Sequence, residues 1–223
     1  MESLIENFAN LDSLMRIYPL LLQGLELTVL LAVVALPLAM LLGLSIAVLY
    51  SFHYRGLRIA LLIYIDLLRS FPVVVLLILI FYGLPFFGLT LGGFAAVVLA
   101  IVLNNSGYYG EIFRAGIEAV PRGQREAALA LGFRPLHVVF HIILPQAIRK
   151  VLAPLASNSL ELIKMTSIAA LVAVPDLLRS ARVAQEQTYN PTPLTAAALI
   201  FFVLLWPFAR WVARLERRMM VAR

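Results

Sequence analysis

The sequence predicts an all-α integral membrane protein, built from five transmembrane helices as a single domain over residues 1–223. The first reason is composition, because 62% of the residues are hydrophobic and only 13% are charged, against about a quarter charged in an average soluble domain. The second reason is that several uncharged stretches reach the roughly 20 residues that a helix needs to cross a bilayer. The third reason is that basic residues gather in the segments between these stretches, as they do in membrane proteins.

Uncharged runs and their breaks locate the spans. No charged residue lies between Glu26 and Arg55, which predicts the first span. The uncharged run from Arg69 to Glu111 is too long for one helix, and its Gly- and Pro-rich segment 83–93 divides it into a second and a third span. The predicted spans cover residues 24–51, 57–81, 94–113, 146–174 and 193–212, with a loop over 114–145.

The distribution of basic residues predicts the orientation. With the N-terminus outside, the cytoplasmic segments hold two basic residues in the first loop, six in the third loop region and five in the tail, against three in the outer segments. This bias favours an N-out, C-in protein of the bacterial inner membrane. It also explains the net charge of +6 as a topology signal, so we expect contact with membrane lipid and none with nucleic acid. The acidic N-terminus has no basic n-region and does not resemble a cleaved signal peptide.

A charged, alanine-rich segment between the third and fourth spans has a pattern of its own. Pro121 is tolerated in the first turn of a helix, and the Ala, Leu and Glu residues that follow it are strong helix formers. Gly132 is placed to end that helix, Arg134–Pro135 restarts the chain, and Pro145 marks the beginning of the fourth span. Two interpretations stay open: an Ala/Leu surface that docks into a partner's groove, or a solvated loop on the membrane surface.

The spacing in this segment resembles a known family. Glu126-Ala127-Ala128, three residues, Gly132, nine residues and then Ile142-x-Leu144-Pro145 is similar to the EAA loop of permease subunits of binding-protein-dependent ABC importers. Residues 108–132, 143–155 and 162–172 resemble the polar amino acid uptake subfamily in particular. The coupling-loop candidates are therefore Glu126, Ala127, Ala128, Gly132, Ile142, Leu144 and Pro145.

The resemblance implies a function and a set of partners. In that family the loop forms a coupling helix that sits in a cleft of a separate ATP-hydrolysing subunit, and the permease moves solute without covalent chemistry. The implied partners are a dimer of ABC ATPase subunits, an external or periplasmic amino-acid-binding protein, and a second permease, either a copy of this chain or a paralogue. ATP and magnesium belong to the ATPase partner, and no cofactor is expected on this chain.

Two departures from the family pattern affect substrate identity. The family often has Arg-Gly-Thr-Pro near the second span, where this chain has Arg69-Ser70-Phe71-Pro72. It often has Lys-Asp-Thr-Ser in the fourth span, where this chain has Lys164-Met165-Thr166-Ser167. The resemblance therefore predicts a polar amino acid or an analogue as the solute, but not which one.

Motifs for other chemistries are missing from the sequence. There is no G-x-x-x-x-G-K-[ST] phosphate loop, so we expect the chain not to bind or hydrolyse ATP by itself. Cysteine is absent, which excludes disulfides and thiolate metal sites. His137 and His141 have the i,i+4 spacing of two metal ligands, but no third ligand is evident, so no metal is expected.

Ionisable and amide residues inside the predicted spans are the candidates for a solute path. Each ionisable group in a span costs about 2.5–3.5 kcal/mol on insertion scales, so such groups normally face protein or water. Asp66 and Arg69 are i,i+3, as are Glu161 and Lys164, and for the first pair a structural ion pair is the favoured interpretation. A zwitterionic solute needs a carboxylate and hydrogen-bond donors, which Glu and Asn on facing helices supply. The candidates are Asn104, Asn105, Glu161, Asp66 and Thr166, with satisfied helix–helix contacts as the equally weighted alternative.

One rival function uses the same residues. A membrane-embedded enzyme with the ionisable pairs as its active site would show activity in the purified chain alone and would need no ATPase.

Overall fold

The computed structural model describes residues 8–52 and 54–221, and this part of the chain is helical, without strands. The α-helices are α1 (Leu11–Tyr50), α2 (Arg55–Ser70), α3 (Val73–Ile78), α4 (Gly93–Glu118), α5 (Arg122–Ala130), α6 (Pro135–His137), α7 (Leu144–Met165), α8 (Leu177–Thr188) and α9 (Thr192–Val221). Two π-helical segments, Leu79–Gly83 and Val138–Ile143, and two 3-10 segments, Leu84–Phe87 and Thr166–Val172, connect them.

The first helix is longer than the predicted span. The sequence predicts a span over residues 24–51, whereas α1 begins at Leu11 and has 40 residues. Asn10 caps its N-terminus, with its side chain accepting a hydrogen bond from the Ser13 amide at 2.9 Å. At 1.5 Å per residue α1 is about 60 Å long, twice the hydrocarbon thickness of about 30 Å. Its first turns therefore extend beyond the apolar segment that composition detects.

The predicted second span, residues 57–81, is broken rather than straight. α2 ends at Ser70, and the following helical segment is bent away from it by 98°. The cause is local, because Pro72 lacks an amide hydrogen and its ring disfavours helical backbone at Phe71, whose ψ is 127°. A left-handed residue, Gly88, with φ +79°, ends the segment on the far side.

The helix α4 lies at the centre of the molecule. It packs against α1, α2, α3 and α7, and its inward residues belong to the main hydrophobic cluster. Among the described residues, three helical segments are long and apolar enough to cross a membrane, or four when the bent pair counts as one. α4 is not among these segments, and it carries the polar residues Asn104, Asn105 and Ser106, all three buried within the protein. The count of five spans therefore stays a prediction.

Close packing of α1 against its neighbours depends on two glycines. A Cβ atom at Gly43 would lie 2.8 Å from the backbone nitrogen of Gly110 on α4 and closer still to Tyr109. A Cβ atom at Gly24 would lie 2.6 Å from the Ser180 hydroxyl on α8. The small residues therefore let the backbones approach, as in many membrane helix pairs.

The second half of the predicted loop and the fourth predicted span form one continuous helical segment, Pro135–Val172. Pro145 lies in the first turn of α7, directly after the π-helical residues Val138–Ile143, and the helical segment does not break there. Insertion of one residue in the π-helical turn changes the hydrogen-bond register next to the proline, which has no amide hydrogen to donate. The second half of the predicted loop is thus an extension of α7.

Candidate functional site

The Ala-rich segment of the loop forms the short helix α5. Pro121 is its N-cap residue, one position before the first turn in which the sequence places it. Ala128 is buried, and it packs in a small cluster with Val120, Val138, Ile143 and Ala147. Glu126 and Ala127 are exposed. One face of α5 is therefore fixed to the start of the long helical segment, and the other face is open.

Gly132 ends this helix by a Schellman motif. Its φ of +83° is in the left-handed region that glycine adopts without strain. The Phe133 amide donates to the Ala128 carbonyl at 3.1 Å, and the Gly132 amide donates to the Leu129 carbonyl at 3.0 Å. These are the two hydrogen bonds that define the motif, so the position requires φ above zero. The sequence pattern predicts this helix end correctly.

The remaining residues of the loop motif divide between packing and exposure. Leu144 is buried, Ile142 is half-buried against the cluster around Ala128, and Pro145 is exposed. Several large apolar side chains of the same loop are exposed. The exposed fraction reaches 78% at Leu131, and it is also high at Leu129, Phe133, Leu136 and Phe140. Such an apolar surface is typical of a protein interaction site.

Polar contacts tie the loop to the transmembrane helices at both ends. The Arg125 guanidinium donates to the Ser51 carbonyl at 3.2 Å, at the C-terminal end of α1. The Lys150 ammonium of α7 donates to the Ala119 carbonyl just before α5. These contacts join α5 to the end of α1, and the segment just before α5 to α7.

Asn104 is buried and holds the break between α2 and α3. Its amide nitrogen donates to the Leu68 carbonyl at 2.9 Å and to the Phe71 carbonyl at 3.0 Å. The carbonyls at this helix end need donors because Pro72 has no amide hydrogen to continue the helix. Sequence reasoning missed this role, although a proline inside an apolar stretch is a signal that a buried donor is needed nearby.

Asn105 and Thr166 are buried, and Asn105 joins α4 to α7. The Asn105 amide nitrogen donates to the Ile101 carbonyl at 3.2 Å and contacts the Met165 sulfur at 3.4 Å. Its oxygen accepts from the Asn158 amide at 3.4 Å. The Thr166 hydroxyl donates to the Ile163 carbonyl at 2.8 Å. The Asn105 contacts with Met165 and Asn158 are of the satisfied helix–helix kind that the sequence left as an alternative, whereas the Thr166 contact is local to its own segment.

The two predicted ion pairs have different outcomes. Glu161 and Lys164 form an ion pair on an exposed part of α7, as the i,i+3 spacing indicates. Asp66 and Arg69 do not pair. The Arg69 guanidinium instead lies over the Tyr108 ring of α4, 5.3 Å from its centroid, and Asp66 is exposed. The prediction for this pair is wrong because a cation–π contact from a neighbouring helix, which spacing cannot reveal, holds the arginine.

A cleft of about 430 Å³ opens at the break between α2 and α3. Arg69, Asn104 and Tyr108 line it together with backbone and side-chain atoms of residues 70–74 and with Met165. A guanidinium, an amide and an aromatic face in one cleft suit a ligand that carries a carboxylate. Of the predicted path residues, only Asn104 contributes to this cleft, while Asp66 and Glu161 lie on exposed surfaces elsewhere.

A buried carboxylate lies beyond the long helical segment. Asp176 caps the N-terminus of α8 by accepting from the Arg179 amide at 2.9 Å, and the residue is fully buried. Its second oxygen, Oδ2, has no hydrogen-bond partner in the described part of the chain. Burial raises the pKa of Asp176 to about 6, against smaller opposing effects of backbone hydrogen bonds and of Arg182.

Comparison with known proteins identifies a family for this chain. Residues 16–221 match the family described as the binding-protein-dependent transport system inner membrane component. The chain is 34% identical over 94% of its length to the "Probable glutamine ABC transporter permease protein GlnM" of Bacillus subtilis, of which it covers 98%. It is 33% identical over 91% of its length to the L-cystine transport system permease protein TcyB of the same organism, of which it covers 87%.

One solved structure is also similar to this chain over most of its length. The crystal structure of an amino acid ABC transporter with histidines contains a chain with 35% identity to this one and a TM-score of 0.81, and the match covers 92% of this chain and 97% of that one. The resemblance seen in the sequence is confirmed, and no membrane-embedded enzyme is indicated. The chain belongs to the family of binding-protein-dependent transport system inner membrane components, whose matched relatives are permease subunits of ABC transporters.

Proposed function

We propose that this chain is the permease subunit of an inner-membrane ABC importer that carries a polar amino acid or an analogue into the cell. The observation that carries the proposal is the α5 helix, which presents an open face and is fixed through Ala128 to the long helical segment. Relatives of similar identity are named for glutamine and for L-cystine, two solutes of different size. The substrate class is therefore an amino acid, and its side chain is left open.

In this proposal the chain crosses the membrane five times. The spans are α1, the bent α2–α3 segment, α4, the segment Pro135–Val172 from α7 onward, and α9. The N-terminus lies outside, and the loop with α5 and the C-terminus lie in the cytoplasm, in agreement with the distribution of basic residues. α4 counts as a span despite its polar residues because they are buried among other helices and not exposed to lipid.

The free energy for transport comes from ATP hydrolysis in a partner protein. A dimer of ABC ATPase subunits binds ATP and magnesium, grips α5 by its exposed Ala and Leu residues, and moves it as the dimer closes. The cluster around Ala128 and the hydrogen bond from Arg125 to Ser51 then transmit the movement to α7 and α1. A second permease, self or paralogue, completes the pathway, and an external binding protein delivers the solute. Rocking of the helix bundles alternates access to the two sides.

The solute path combines the cleft with exposed carboxylates. The Arg69 guanidinium suits the solute carboxylate. The amide nitrogen of Asn104 is already bound to two carbonyls, so its oxygen is the group left to accept a hydrogen bond from a donor group of the solute. Glu161, which is exposed on α7 and paired with Lys164, suits an ammonium group of the solute. Asp66 stays a candidate because its carboxylate is exposed on α2. Asn105 and Thr166 act by positioning α4 and α7.

The test is ATP-dependent uptake of radiolabelled amino acids in proteoliposomes that contain the permease with its ATPase and binding protein. We expect uptake of one or a few polar amino acids that requires all three components. Arg69→Gln should raise the solute concentration for half-maximal uptake, while Arg182→Gln on α8, a matched loss of charge away from the cleft, should not. Uptake without ATP, or chemical conversion of solute by the purified chain alone, would contradict the proposal.

A further inference from the structure

A second cavity lies beside α5. Its volume is about 680 Å³, and it opens between the end of α1, the start of α2, the end of α4 and the first turns of α5. Three arginines from different elements line it: Arg58 of α2, and Arg122 and Arg125 of α5. We call this cavity the arginine corner.

The charges in the arginine corner are not balanced. Two carboxylates, Glu118 and Glu126, also line it. Glu118 is bound by Arg114 at 2.8 Å, so its charge is already compensated. Within the described residues, Arg58, Arg122 and Arg125 form no ion pair, which leaves three guanidinium groups against Glu126. An excess of positive charge in a partly apolar cavity favours an anionic ligand.

Two of the three arginines, Arg58 and Arg125, are held in place by contacts within the chain. The Arg58 guanidinium stacks on the Tyr50 ring, 4.3 Å from its centroid, and Arg125 is fixed by its hydrogen bond to the Ser51 carbonyl. Pro121, the N-cap of α5, provides no side-chain cap, so the first-turn amides of α5 are not satisfied by a side chain. These amides and the helix dipole add to the positive potential, although they would not by themselves define a site.

The position of the cavity indicates the kind of anion. Tyr50 and Ser51 lie where the long apolar stretch of α1 ends, which is the level of a membrane surface. Apolar side chains, among them Ile117, Val120 and Ile143, form part of the cavity wall. A ligand that fits both features has a phosphate at the surface and hydrocarbon beside it. Basic pockets between membrane helices bind phospholipid headgroups by the same chemistry.

We propose that the arginine corner binds the headgroup phosphate of an anionic phospholipid. The phosphate lies between Arg58 and Arg122, with Arg125 as the third donor, and the acyl chains pass along the apolar wall toward the bilayer. The bound lipid joins α1, α2 and α5, so it stabilises the position of the loop helix relative to the membrane. The site requires that this corner lies at a membrane surface and does not depend on which solute is carried.

Native mass spectrometry of the delipidated permease–ATPase complex, titrated with phosphatidylglycerol or phosphatidylcholine, tests the site. The variant is Arg58→Gln/Arg122→Gln, and the matched control is Arg214→Gln/Arg217→Gln, which removes the same charge from α9. We expect the corner variant to weaken phosphatidylglycerol binding by roughly tenfold or more, from about 1 kcal/mol of attraction per basic residue at an anionic surface. We expect the α9 variant to weaken it less, and phosphatidylcholine to show little difference between proteins.

Several outcomes would overturn the lipid site. Equal weakening in both variants would show general attraction to the basic surface. Displacement of phosphatidylglycerol by millimolar inorganic phosphate would show a site for soluble anions. Binding in the isolated permease that disappears in the full complex would show that the ATPase occupies the corner. If the Gln variant does not assemble, Arg58→Lys/Arg122→Lys keeps the charge and should retain most of the preference for phosphatidylglycerol, so its loss would also contradict the site.

Discussion

The Schellman motif at Gly132 leads to a sharp prediction about coupling. Replacing Gly132 by alanine adds a Cβ atom that meets nothing within 4 Å, so no steric clash with other parts of the chain arises. The whole cost therefore comes from placing a side chain at a φ of +83°, about 1–2 kcal/mol. That free energy lowers the ratio of formed to unformed helix end by about 5- to 30-fold. Asparagine tolerates this region better and should cost less, and valine, which is β-branched, should cost more.

Gly123 provides a matched control on the same helix. A Cβ atom there also meets nothing within 4 Å, but its backbone is in the first turn of α5 and not in the left-handed region. Alanine at position 123 should therefore stabilise α5 by up to about 1 kcal/mol, the opposite sign. The two alanine variants differ in backbone conformation and not in crowding.

Two measurements separate the structural step from the functional step. Hydrogen exchange of the Phe133 amide, which donates to Ala128, should accelerate by about 5- to 30-fold in Gly132→Ala and not in Gly123→Ala. The backbone strain at position 132 should increase from asparagine to alanine to valine. Stimulation of ATP hydrolysis by the loaded binding protein should decrease in the same order. Unchanged exchange in Gly132→Ala would refute the assignment of the motif. Faster exchange with normal uptake and normal stimulation would refute the coupling role.

Three further predictions concern the transmembrane framework and the outer surface. Asn104→Ala should destabilise the protein by about 1–3 kcal/mol, measured by thermal unfolding in detergent, because it removes the donor to the Leu68 and Phe71 carbonyls; unchanged stability would indicate that water replaces the amide. Gly43→Ala should lower the free energy of unfolding by about 1–3 kcal/mol, because the added Cβ atom forces α1 away from Tyr109. Alanine at a helical glycine whose Cβ position is open, such as Gly123, should not lower it. Asp176 has its pKa raised to about 6, so the stability that its protonated form provides is full below about pH 4 and is lost as pH rises through 6, by up to about 3 kcal/mol. Asp176→Asn should reduce the change of the unfolding temperature with pH between pH 4 and 7. If the unfolding temperature of the variant depends on pH as strongly as that of the wild type, the Asp176 carboxyl does not titrate in this range.

Local features of this fold could be predicted from the sequence because their causes are local. The end of α5 at Gly132 follows from glycine in a run of helix formers, and the apolar part of α1 follows from a long uncharged stretch. The pairing of Glu161 with Lys164 follows from i,i+3 spacing on one helix. The helix end and the ion pair each involve residues that lie within one or two turns of each other, and the apolar stretch is continuous in sequence.

Features that depend on a second helix were not predictable in the same way. Arg69 has two available partners, Asp66 on its own helix and Tyr108 on α4, and only tertiary packing decides between them. Hydropathy cannot show that α4 is shielded from lipid, so its buried amides resemble solute-binding groups when read along the sequence. The break at Pro72 is visible in the sequence, but its partner, Asn104, is 32 positions away and is identified only by the fold.

The break at Pro72 also connects the cleft to the loop that contains α5. The cleft exists because α2 and α3 bend apart at Pro72, and Asn104 of α4 holds the bend open. α4 continues directly into the loop that contains α5, and it packs along α7, which the same loop extends. In the proposed mechanism, a movement of α5 therefore reaches the cleft through helices that are continuous with it in sequence. Weakening the amide contacts of Asn104 should change solute affinity and coupling together, whereas loss of the Arg69 guanidinium should change affinity alone.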